Sequence, residues 1–590
     1  MLSAAALVLA LGACAPSAEL PFPVEPAWDS ASPPPIPAWL EIEAPGPIAF
    51  GTPPAPGEYA RPIEVTHYDI ELVVPPANDR VSNRTVIHYL HETGGPHSLD
   101  LDFTGMRVEA VRAYPGGAFL PFEQDSAHVR VQATGSYNRF DTVRVEVMSR
   151  GRPADGLILR DNVHGESTAF ADNWPNRARF WFPSVDHPSQ KATVAWTVHA
   201  PAGKRVIANG AQLGDPVPAD PVRTGGIEGL RSWRWATAVP IPTYLMVIGV
   251  ADMVVLDGGT AACGLAPASP RDDGCVEVTA WAFPPDTAHA RQVFRRSAEM
   301  LDLYARTFGP YPFEKLANVQ ASTRFGGMEN ASAIFYSEQA IAQGRDIEGT
   351  VAHEIVHQWF GNSVTPADWP HLWLSEGFAS YFGPWFWEVT EGSAAFERRL
   401  QGVRDRYMAS EEVHDRPIVD EDADNLMDLL NRNSYQKGAL VLHMLRWVMG
   451  DAAFYQGVRR YAQRHAGGTA VTSDLRVALE ASHGEPLDWF FDQWLHRPGY
   501  PVYRVEWRWE PGTRQAVVTI RQEQGAEWPT FRMPIEIEFA LEGGVWRDVF
   551  LVDGREWTRR ITLPSEPREL RLDPDGWILK LLAGDDTGSG

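Results

Sequence analysis

The sequence predicts a multidomain α+β protein with an N-terminal β-rich domain, a mostly helical central domain and a small C-terminal β-sandwich. Its 590 residues exceed what one hydrophobic core normally serves, so several domains are expected. In the N-terminal and C-terminal parts of the chain, apolar residues alternate with polar ones. In the central part, apolar residues recur every three or four positions. Hydrophobic residues make up 44% of the chain and charged residues 22%, which is the composition of folded rather than disordered protein.

Residues 1–14 have the pattern of a bacterial lipoprotein signal peptide. The apolar run Ala4–Leu11 is too short to span a bilayer and is typical of a secretory signal. Leu11-Gly12-Ala13-Cys14 resembles a lipobox, which implies cleavage before Cys14 and acylation of that residue. We therefore expect a lipid anchor in the cell envelope, on the periplasmic or cell-surface side. A spurious or uncleaved leader is the alternative.

Residues 15–58 are rich in Pro, Ala, Ser and Glu and include Pro33-Pro34-Pro35. This composition cannot bury a core and favours extended polyproline conformations. We expect a linker that tethers the folded body to Cys14.

Residues 59–255 have the alternation of strands and are expected to form the N-terminal β domain. Tyr68, Ile70 and Leu72, for example, alternate with Asp69 and Glu71. Turn residues separate such runs at short intervals, which favours a large domain of short strands.

Helical patterns dominate residues 256–497, the expected catalytic domain. Asp286 is predicted to cap a helix whose apolar residues are spaced by three and four, namely Phe294, Ala298, Leu301, Ala305 and Phe308. Strand alternation returns in residues 498–590, where a β-sandwich domain and a polar tail are expected.

Two cysteines remain once Cys14 is set aside, and both lie near a turn-rich loop. Cys263 and Cys275 form a plausible disulfide in an exported protein. Closing so short a loop would stabilise the fold by about 3 kcal/mol. Two free thiols are the alternative.

The formal net charge of −24 argues against a nucleic-acid partner. Binding to a phosphate backbone requires a basic surface that releases counterions, and the sequence offers no basic stripe. The acidity is the kind that keeps a protein soluble.

The segment His353-Glu354-Ile355-Val356-His357 is the strongest chemical signal. On a helix, residues four apart lie on one side, so His353 and His357 can bind one metal ion. Glu376, in a second helical segment, would complete a His₂Glu site with the fourth position left to water. Two imidazoles and a carboxylate without thiolates suit one Zn²⁺ per chain.

The run from His353 to Glu376 resembles the gluzincin family of zinc metallopeptidases that includes aminopeptidase N and leukotriene-A hydrolase. Two further family motifs occur in the right order, Gly326-Gly327-Met328-Glu329-Asn330 and Tyr435-Gln436-Lys437-Gly438. Trp494 to Pro501 matches the end of the family's catalytic domain, so the resemblance covers roughly residues 60–580. It implies a thermolysin-like catalytic domain.

The resemblance also implies roles for single residues. Glu354 would be the general base, and Tyr435 would donate a hydrogen bond to the oxyanion. Glu329 would bind the free α-ammonium of the substrate, which distinguishes an aminopeptidase from an endopeptidase. Gly326, Gly327, Met328 and Asn330 would line the same subsite, and Phe325 would form the floor of the first specificity pocket. An ordinary packing role is the alternative for Glu329 and for Tyr435.

Asp172 is expected where the family places a second residue that binds the substrate amine. Its segment, which ends at Pro183, resembles the corresponding family stretch, in which Gln or Glu is usual. A loop or capping role is the alternative for Asp172. Ser375 replaces the Asn that usually precedes the third ligand, and we expect a small effect.

The function predicted is therefore a zinc aminopeptidase, which we expect to act as a monomer on peptides with free N-termini. Two alternatives remain open: a related hydrolase on the same scaffold, such as an epoxide hydrolase, or a non-catalytic envelope lipoprotein that binds peptides. Many family members continue into a large helical domain that covers the active site. Because the printed sequence ends after the small β domain, we expect a more open cleft.

Overall fold

The computed structural model describes residues 62–584, except residues 136 and 424. The predicted signal peptide, the predicted acylation site Cys14 and the expected linker over residues 15–58 lie outside the described residues. Within the described range, no helix combines the length and the apolar character needed to cross a membrane.

The described chain begins with a region made almost wholly of strands, as the alternating pattern predicts. The strands are β1 (Ile63–Val73), β2 (Val81–His91), β3 (His97–Asp102), β4 (Arg107–Ala113), β5 (Phe122–Gln124), β6 (His128–Ala133), β7 (Thr142–Gly151), β8 (Leu157–Asp161), β9 (Ser167–Ala171), β10 (Lys191–Pro201), β11 (Arg205–Ala208), β12 (Ala211–Gln212), β13 (Val217–Pro218), β14 (Leu230–Ala236), β15 (Ile241–Pro242) and β16 (Ile248–Ala251).

The largest sheet of this region has the order β12-β14-β10-β1-β2-β7-β4, with β13 paired to β14 and β15 paired to β10. Two smaller sheets have the orders β3-β6-β5 and β11-β16-β9-β8. Tyr68, Ile70 and Leu72 of β1 are buried, as their alternation predicts. Glu71, on the opposite side of the same strand, is also buried and contacts His199 through a 2.8 Å hydrogen bond.

A five-stranded sheet begins the central region. Its strands are β17 (Val254–Ala261), β18 (Val276–Ala282), β19 (Lys315–Ala321), β20 (Gly327–Met328) and β21 (Ala333–Ser337), in the order β17-β18-β19-β21-β20. The expected domain boundary at residues 255/256 falls inside β17, which pairs with β18 and so belongs to this sheet. The loop between β17 and β18 is closed by a disulfide between Cys263 and Cys275. The edge strand β20 carries the Gly-Gly-Met-Glu-Asn motif toward the helices.

Helices form the rest of the central region. They are α1 (Thr287–Val293), α2 (Ser297–Phe308), α3 (Glu338–Ala342), α4 (Glu348–His357), α5 (Trp373–Glu391), α6 (Ser393–Met408), α7 (Gly438–Met449), α8 (Asp451–Arg464), α9 (Thr472–His483) and α10 (Asp488–Leu495). Two short strands, β22 (Thr365–Pro366) and β23 (Thr469–Ala470), pair in parallel between them.

The helix predicted to start at Asp286 is two helices, α1 and α2, and the capping prediction for Asp286 is wrong. Asp286 stands at the N-terminal end of α1, but its side chain accepts no hydrogen bond from the helix backbone. Its carboxylate is instead held by His164 and by Gln320, each at 2.7 Å. A buried carboxylate with two strong side-chain partners does not also reach the first turn of the helix.

Two glycines bring the elements of the central region close together. A Cβ atom on Gly438 would lie 3.0 Å from the Cα atom of Gly377 in α5, which is closer than ordinary contact. Residues 433–437, just before α7, form a π-helical turn, called the π turn below. Because neither glycine has a side chain, the π turn can lie directly against the start of α5.

The C-terminal region returns to strands, as predicted. They are β24 (Val502–Glu510), β25 (Gln515–Gln522), β26 (Met533–Leu541), β27 (Gly544–Val552), β28 (Glu556–Thr562), β29 (Glu569–Leu572) and β30 (Leu581–Leu582). They form two sheets, β28-β25-β24-β30 and β27-β26-β29. The sheets contact each other through Trp507 and Phe539, whose ring centroids lie 6.0 Å apart. The predicted α+β fold class is confirmed.

Candidate active site

Three side chains from two helices converge where α4 ends and α5 begins. The Nε2 atoms of His353 and His357 lie 3.0 Å apart, because residues four apart on α4 are stacked along one side of the helix. Each Nε2 atom lies 3.3 Å from Oε2 of Glu376, in the first turn of α5. The three residues predicted as metal ligands are thus brought together by the fold.

The geometry of these three atoms suits a zinc ion. Ligand atoms about 2.0–2.1 Å from zinc in a tetrahedron lie about 3.3–3.4 Å from one another, close to the separations seen here. Oε2 of Glu376 is fully buried, yet it has no hydrogen-bond partner among the described residues. A buried carboxylate oxygen is rarely left without a partner, and a metal ion would satisfy it. The donor set fits one zinc ion.

The second imidazole is held in the orientation that metal binding requires. Nδ1 of His357 lies 3.0 Å from the backbone carbonyl of Phe360 and 3.0 Å from Oγ of Ser375. Donation from Nδ1 to the carbonyl leaves Nε2 unprotonated and directed at the metal position. A Cβ atom at Gly361 would overlap Oγ of Ser375, so the hydroxyl occupies space that this glycine leaves free. Ser375 replaces the usual Asn, and we expected that change to have a small effect. In the structure, Ser375 contacts His357, one of the three predicted metal ligands.

Two further carboxylates lie beside the ligands. One carboxylate oxygen each of Glu329 and Glu354 and one ring nitrogen of His357 lie within 4.8 Å of one another. The backbone carbonyl of Glu329 accepts hydrogen bonds from Gln358 at 2.9 Å and from Asn362 at 2.7 Å. These bonds attach the end of β20 to the residues that follow α4.

Gly327 makes this arrangement possible. A Cβ atom at position 327 would overlap the carboxylate of Glu354 in its present position. Glycine therefore lets the edge strand approach α4 closely enough for Glu329 and Glu354 to face the same volume.

The site concentrates negative charge. Burial raises the pKa of both Glu329 and Glu354; the neighbouring carboxylates raise it further, while His357 acts in the opposite direction. For Glu376, burial acts in the same direction, but the charge of His357 and the close approach of both imidazoles outweigh it and lower the pKa. Three buried carboxylates around two imidazoles call for compensating positive charge, which a divalent cation and a substrate ammonium would supply.

Tyr435 lies on the π turn, next to His353. Its ring is parallel to the His353 ring, with centroids 6.1 Å apart. Burial raises the pKa of Tyr435 well above its ordinary value, and the charge of Glu376 and a hydrogen bond with it add to the rise. The phenol therefore stays protonated and remains a hydrogen-bond donor at neutral pH.

These groups line one cleft of about 580 Å³. Of the residues predicted for the site, the cleft is lined by Phe325, Gly326, Gly327, Met328, Glu329, His353, Glu354, His357, Glu376 and Tyr435. Phe325 packs edge-on against Trp174, with ring centroids 6.3 Å apart, and both contribute to the wall. Asn330, the last residue of the motif, is buried and is not among the residues that line the cleft.

Asp172 also lies outside the cleft lining, although its charge acts on Glu329. Its carboxylate accepts a 2.6 Å hydrogen bond from Nη2 of Arg177 and a 3.1 Å bond from the backbone N–H of Arg324. These two hydrogen bonds fit the alternative role of Asp172, that of a residue that stabilises a loop. A direct role in amine binding stays a prediction.

Several cleft residues were not singled out from the sequence. They are Trp174, Gly349, Thr350, Ser380, Pro384, Trp387, Arg398, Arg399, Gly402, Val403, Arg406, Leu430 and Gln436. For most of them the sequence holds no signal, because they come from separate helices that meet only in the fold. Arg398, Arg399 and Arg406 are an exception, because the sequence shows a basic cluster at helical spacing. The sequence does not show which part of the protein this cluster faces.

Two family models match this chain. Residues 66–245 match the Peptidase M1 N-terminal domain and residues 293–494 match the Peptidase family M1 domain, together about two thirds of the chain. Leucyl aminopeptidase of Saccharolobus solfataricus is 28% identical over 433 residues, which are 69% of this chain and 50% of that protein. Aminopeptidase M1 of Arabidopsis thaliana is 30% identical over 354 residues, 56% of this chain and 36% of that protein. The chain thus spans half the length or less of these two curated relatives.

Solved structures show the same fold. An M1 zinc metallopeptidase of Deinococcus radiodurans, crystallised as a point mutant, superposes with a TM-score of 0.60 at 24% identity, over 75% of this chain and 96% of that one. Aminopeptidase A of Legionella pneumophila, in complex with aspartic acid, superposes with a TM-score of 0.74 at 17% identity, over 89% of this chain and 60% of that one.

Proposed function

The chain belongs to peptidase family M1, and on this premise we propose that it is a zinc-dependent aminopeptidase that removes N-terminal residues from peptides. The observation that carries the proposal is the position of Glu329. Its buried carboxylate shares a volume less than 5 Å across with Glu354 and the metal ligand His357. An endopeptidase has no use for a buried anion at this place, whereas an aminopeptidase must bind an ammonium group there.

His353, His357 and Glu376 would hold the zinc ion. Zinc bound by these side chains supplies a Lewis acid that activates water and polarises a carbonyl oxygen. Substrate binding, proton transfer and stabilisation of the oxyanion are carried out by the protein's own side chains.

Glu329, Glu354 and Tyr435 have separate roles in the reaction. Glu329 binds the α-ammonium and so places the first peptide bond of the substrate beside Glu354. Glu354 accepts a proton from the attacking water and transfers it to the leaving amine as the C–N bond breaks. Tyr435 donates its hydroxyl proton in a hydrogen bond to the oxygen that becomes negative in the transition state. The products are a free amino acid and a peptide shorter by one residue.

The basic test is hydrolysis of aminoacyl anilides by the zinc-loaded protein, with and without a chelator. We expect release of the chromophore, loss of the rate after chelation, and recovery on addition of zinc. No chelator-sensitive activity on any substrate with a free amine would refute the proposed function.

Replacing Tyr435 by Phe is expected to lower kcat by about 10²–10³-fold, because one donor to the oxyanion is lost. KM and zinc content should change little, since the ring and its packing on His353 are kept. Tyr407→Phe is a matched control, because the Tyr407 hydroxyl has no hydrogen-bond partner in the described part of the chain. Equal kcat values for the two variants would remove Tyr435 from oxyanion binding.

For localisation, we propose attachment to the cell envelope through an acylated Cys14. The support is the apolar leader followed by Leu11-Gly12-Ala13-Cys14. Growth with a labelled fatty acid should label the parent protein and leave Cys14→Ser unlabelled. Equal labelling of both would overturn the anchor.

A further inference from the structure

We propose that Arg398, Arg399 and Arg406 of α6 bind a carboxylate on the leaving-group side of the substrate. This inference rests on the proposed aminopeptidase function and deepens it. It predicts a preference for short peptides with a free C-terminus, or for peptides with an acidic residue just after the scissile bond.

The three arginines lie on the side of α6 that lines the cleft. Arg398, Gly402 and Arg406 are spaced by four, and Arg399 and Val403 lie next to them on the same side. Gly402 places no side chain between the two outer arginines. The wall that α6 contributes is therefore strongly basic, in a chain whose net charge is −24.

Arg399 is held in place without an ion pair to any residue that the structure describes. Its guanidinium carbon lies 3.9 Å from the centroid of the Trp387 ring, and its one hydrogen bond is a long one, 3.4 Å, to the backbone carbonyl of Ala395. Stacking on a buried indole fixes the plane of the guanidinium and leaves its edge free for a carboxylate.

Two acidic groups whose charge acts on Arg399 have other partners. Glu348 pairs with Arg295 at 2.9 Å, and Glu391 pairs with Arg296 at 3.4 Å. Both carboxylates act on Arg399 from beyond ion-pair distance.

The outer arginines are also unpaired. Arg398 and Arg406 are exposed, and the contacts of residues 62–584 (without 136 and 424) include no ion pair or side-chain hydrogen bond for either guanidinium. Burial lowers the pKa of Arg399, and the charge of Arg398 lowers it further. Two neighbouring cations that repel each other on a cleft wall are stabilised by an anion between them.

A series of contacts connects Glu329 with the helix that carries the arginines. The contacts run in series: Glu329 lies beside Glu354 and His357, His357 beside His353, and His353 beside Tyr435 on the π turn. The π turn in turn packs against α6. In the proposed arrangement, a peptide whose ammonium is bound by Glu329 extends past the metal ligands toward α6. Because an extended residue covers about 3.3–3.6 Å, the first residues after the scissile bond are those that reach the arginines.

The test compares peptides that differ only in this carboxylate. The substrates are Leu-Ala and Leu-Ala-Ala as free acids and as C-terminal amides, and Leu-Asp amide, which carries its carboxylate in a side chain. We expect kcat/KM to be about tenfold higher for an acid than for its amide, the size of one charge-assisted contact. The difference should appear mainly in KM.

Arg399→Gln, and separately the double variant Arg398→Gln with Arg406→Gln, should bring the acid-to-amide ratio close to one. Arg398 and Arg406 are exposed, so the double variant folds even where Arg399→Gln disturbs Trp387. Arg460→Gln, an exposed arginine of α8 outside the cleft, is the matched control and should keep the ratio of the parent.

The substrate series distinguishes the two sources of the carboxylate. A high rate for the free acids identifies the terminal α-carboxylate, and a high rate for Leu-Asp amide identifies the side chain; either supports the site. Equal rates for all substrates on an active enzyme, or a ratio that persists in the variants, would overturn it and leave the proposed aminopeptidase function standing. Failure to hydrolyse any of these peptides would instead refute the proposed function.

Discussion

Replacing Glu354 by Gln is expected to lower kcat by about 10²–10⁴-fold while zinc stays bound. An amide has nearly the shape of the carboxylate but cannot accept the water proton and carry it to the leaving amine. His353, His357 and Glu376 are untouched, so the metal site keeps its ligands. The measurement is kcat on a free-amine substrate together with zinc content by elemental analysis of the same sample.

Glu348→Gln is the control for this variant. Glu348 lies on the same helix and pairs with Arg295 at its start, and it does not line the cleft. We expect its kcat to stay near that of the parent. A parental kcat in Glu354→Gln would remove Glu354 from the role of general base, and a parallel loss of zinc would show that it acts through the metal site.

Replacing Glu329 by Ala is expected to cost about 2–5 kcal/mol of binding to substrates with a free amine, as when one partner of a buried charge pair is removed. The corresponding fall in kcat/KM is about 30-fold or more. Glu329 is buried beside Glu354 and His357, so the ammonium it binds is shielded from water and the contact is strong. Zinc content should be unchanged, because Glu329 is not one of the three ligands. The rates are measured with a free peptide and with its N-acetylated form.

Glu329→Gln serves as the second variant, because it keeps the volume of the side chain at the end of β20. We expect the two variants to lose the preference for the free amine to a similar extent. If both variants keep the parent's kcat/KM on the free peptide, Glu329 does not bind the substrate amine; a loss of zinc together with the rate would show that Glu329 supports the fold of the site instead.

Two of the metal ligands are related by helix geometry, and the third is not. His353 and His357 are four residues apart on one helix, so their meeting follows from helix geometry alone. Glu376 was predicted as the third ligand because it is a carboxylate in the next helical segment, and the family resemblance implies the same residue. It reaches the histidines only after a loop, the strand β22 and a turn, and no periodicity specifies that path.

A local pattern failed where a stronger tertiary contact competed. Asp286 has the sequence position of a helix cap, but His164 and Gln320 hold its carboxylate. Both partners come from other segments of the chain, which a local pattern cannot include. For Asp172, whose carboxylate is bound by Arg177 and by the backbone of Arg324, a role in amine binding stays a prediction.

The basic wall of the cleft illustrates the same limit. The spacing of Arg398 and Arg406 predicts that they share one side of α6, and nothing in the sequence says that this side faces the metal ligands. The π turn that carries Tyr435 is similar, because it lies against α5 only through the close approach of Gly377 and Gly438. Such contacts between helices are visible only once the fold is known.

The most direct test of the proposed zinc aminopeptidase is the cleavage of one peptide in two forms, with a free and with an acetylated N-terminus, by the zinc-loaded protein. Mass spectrometry of the products should show residues removed one at a time from the amino end of the free peptide. The acetylated peptide should remain intact, and a chelator should stop the reaction. Cleavage of both forms at equal rates, or cleavage at internal bonds, would contradict the assignment of Glu329 and with it the account of this site.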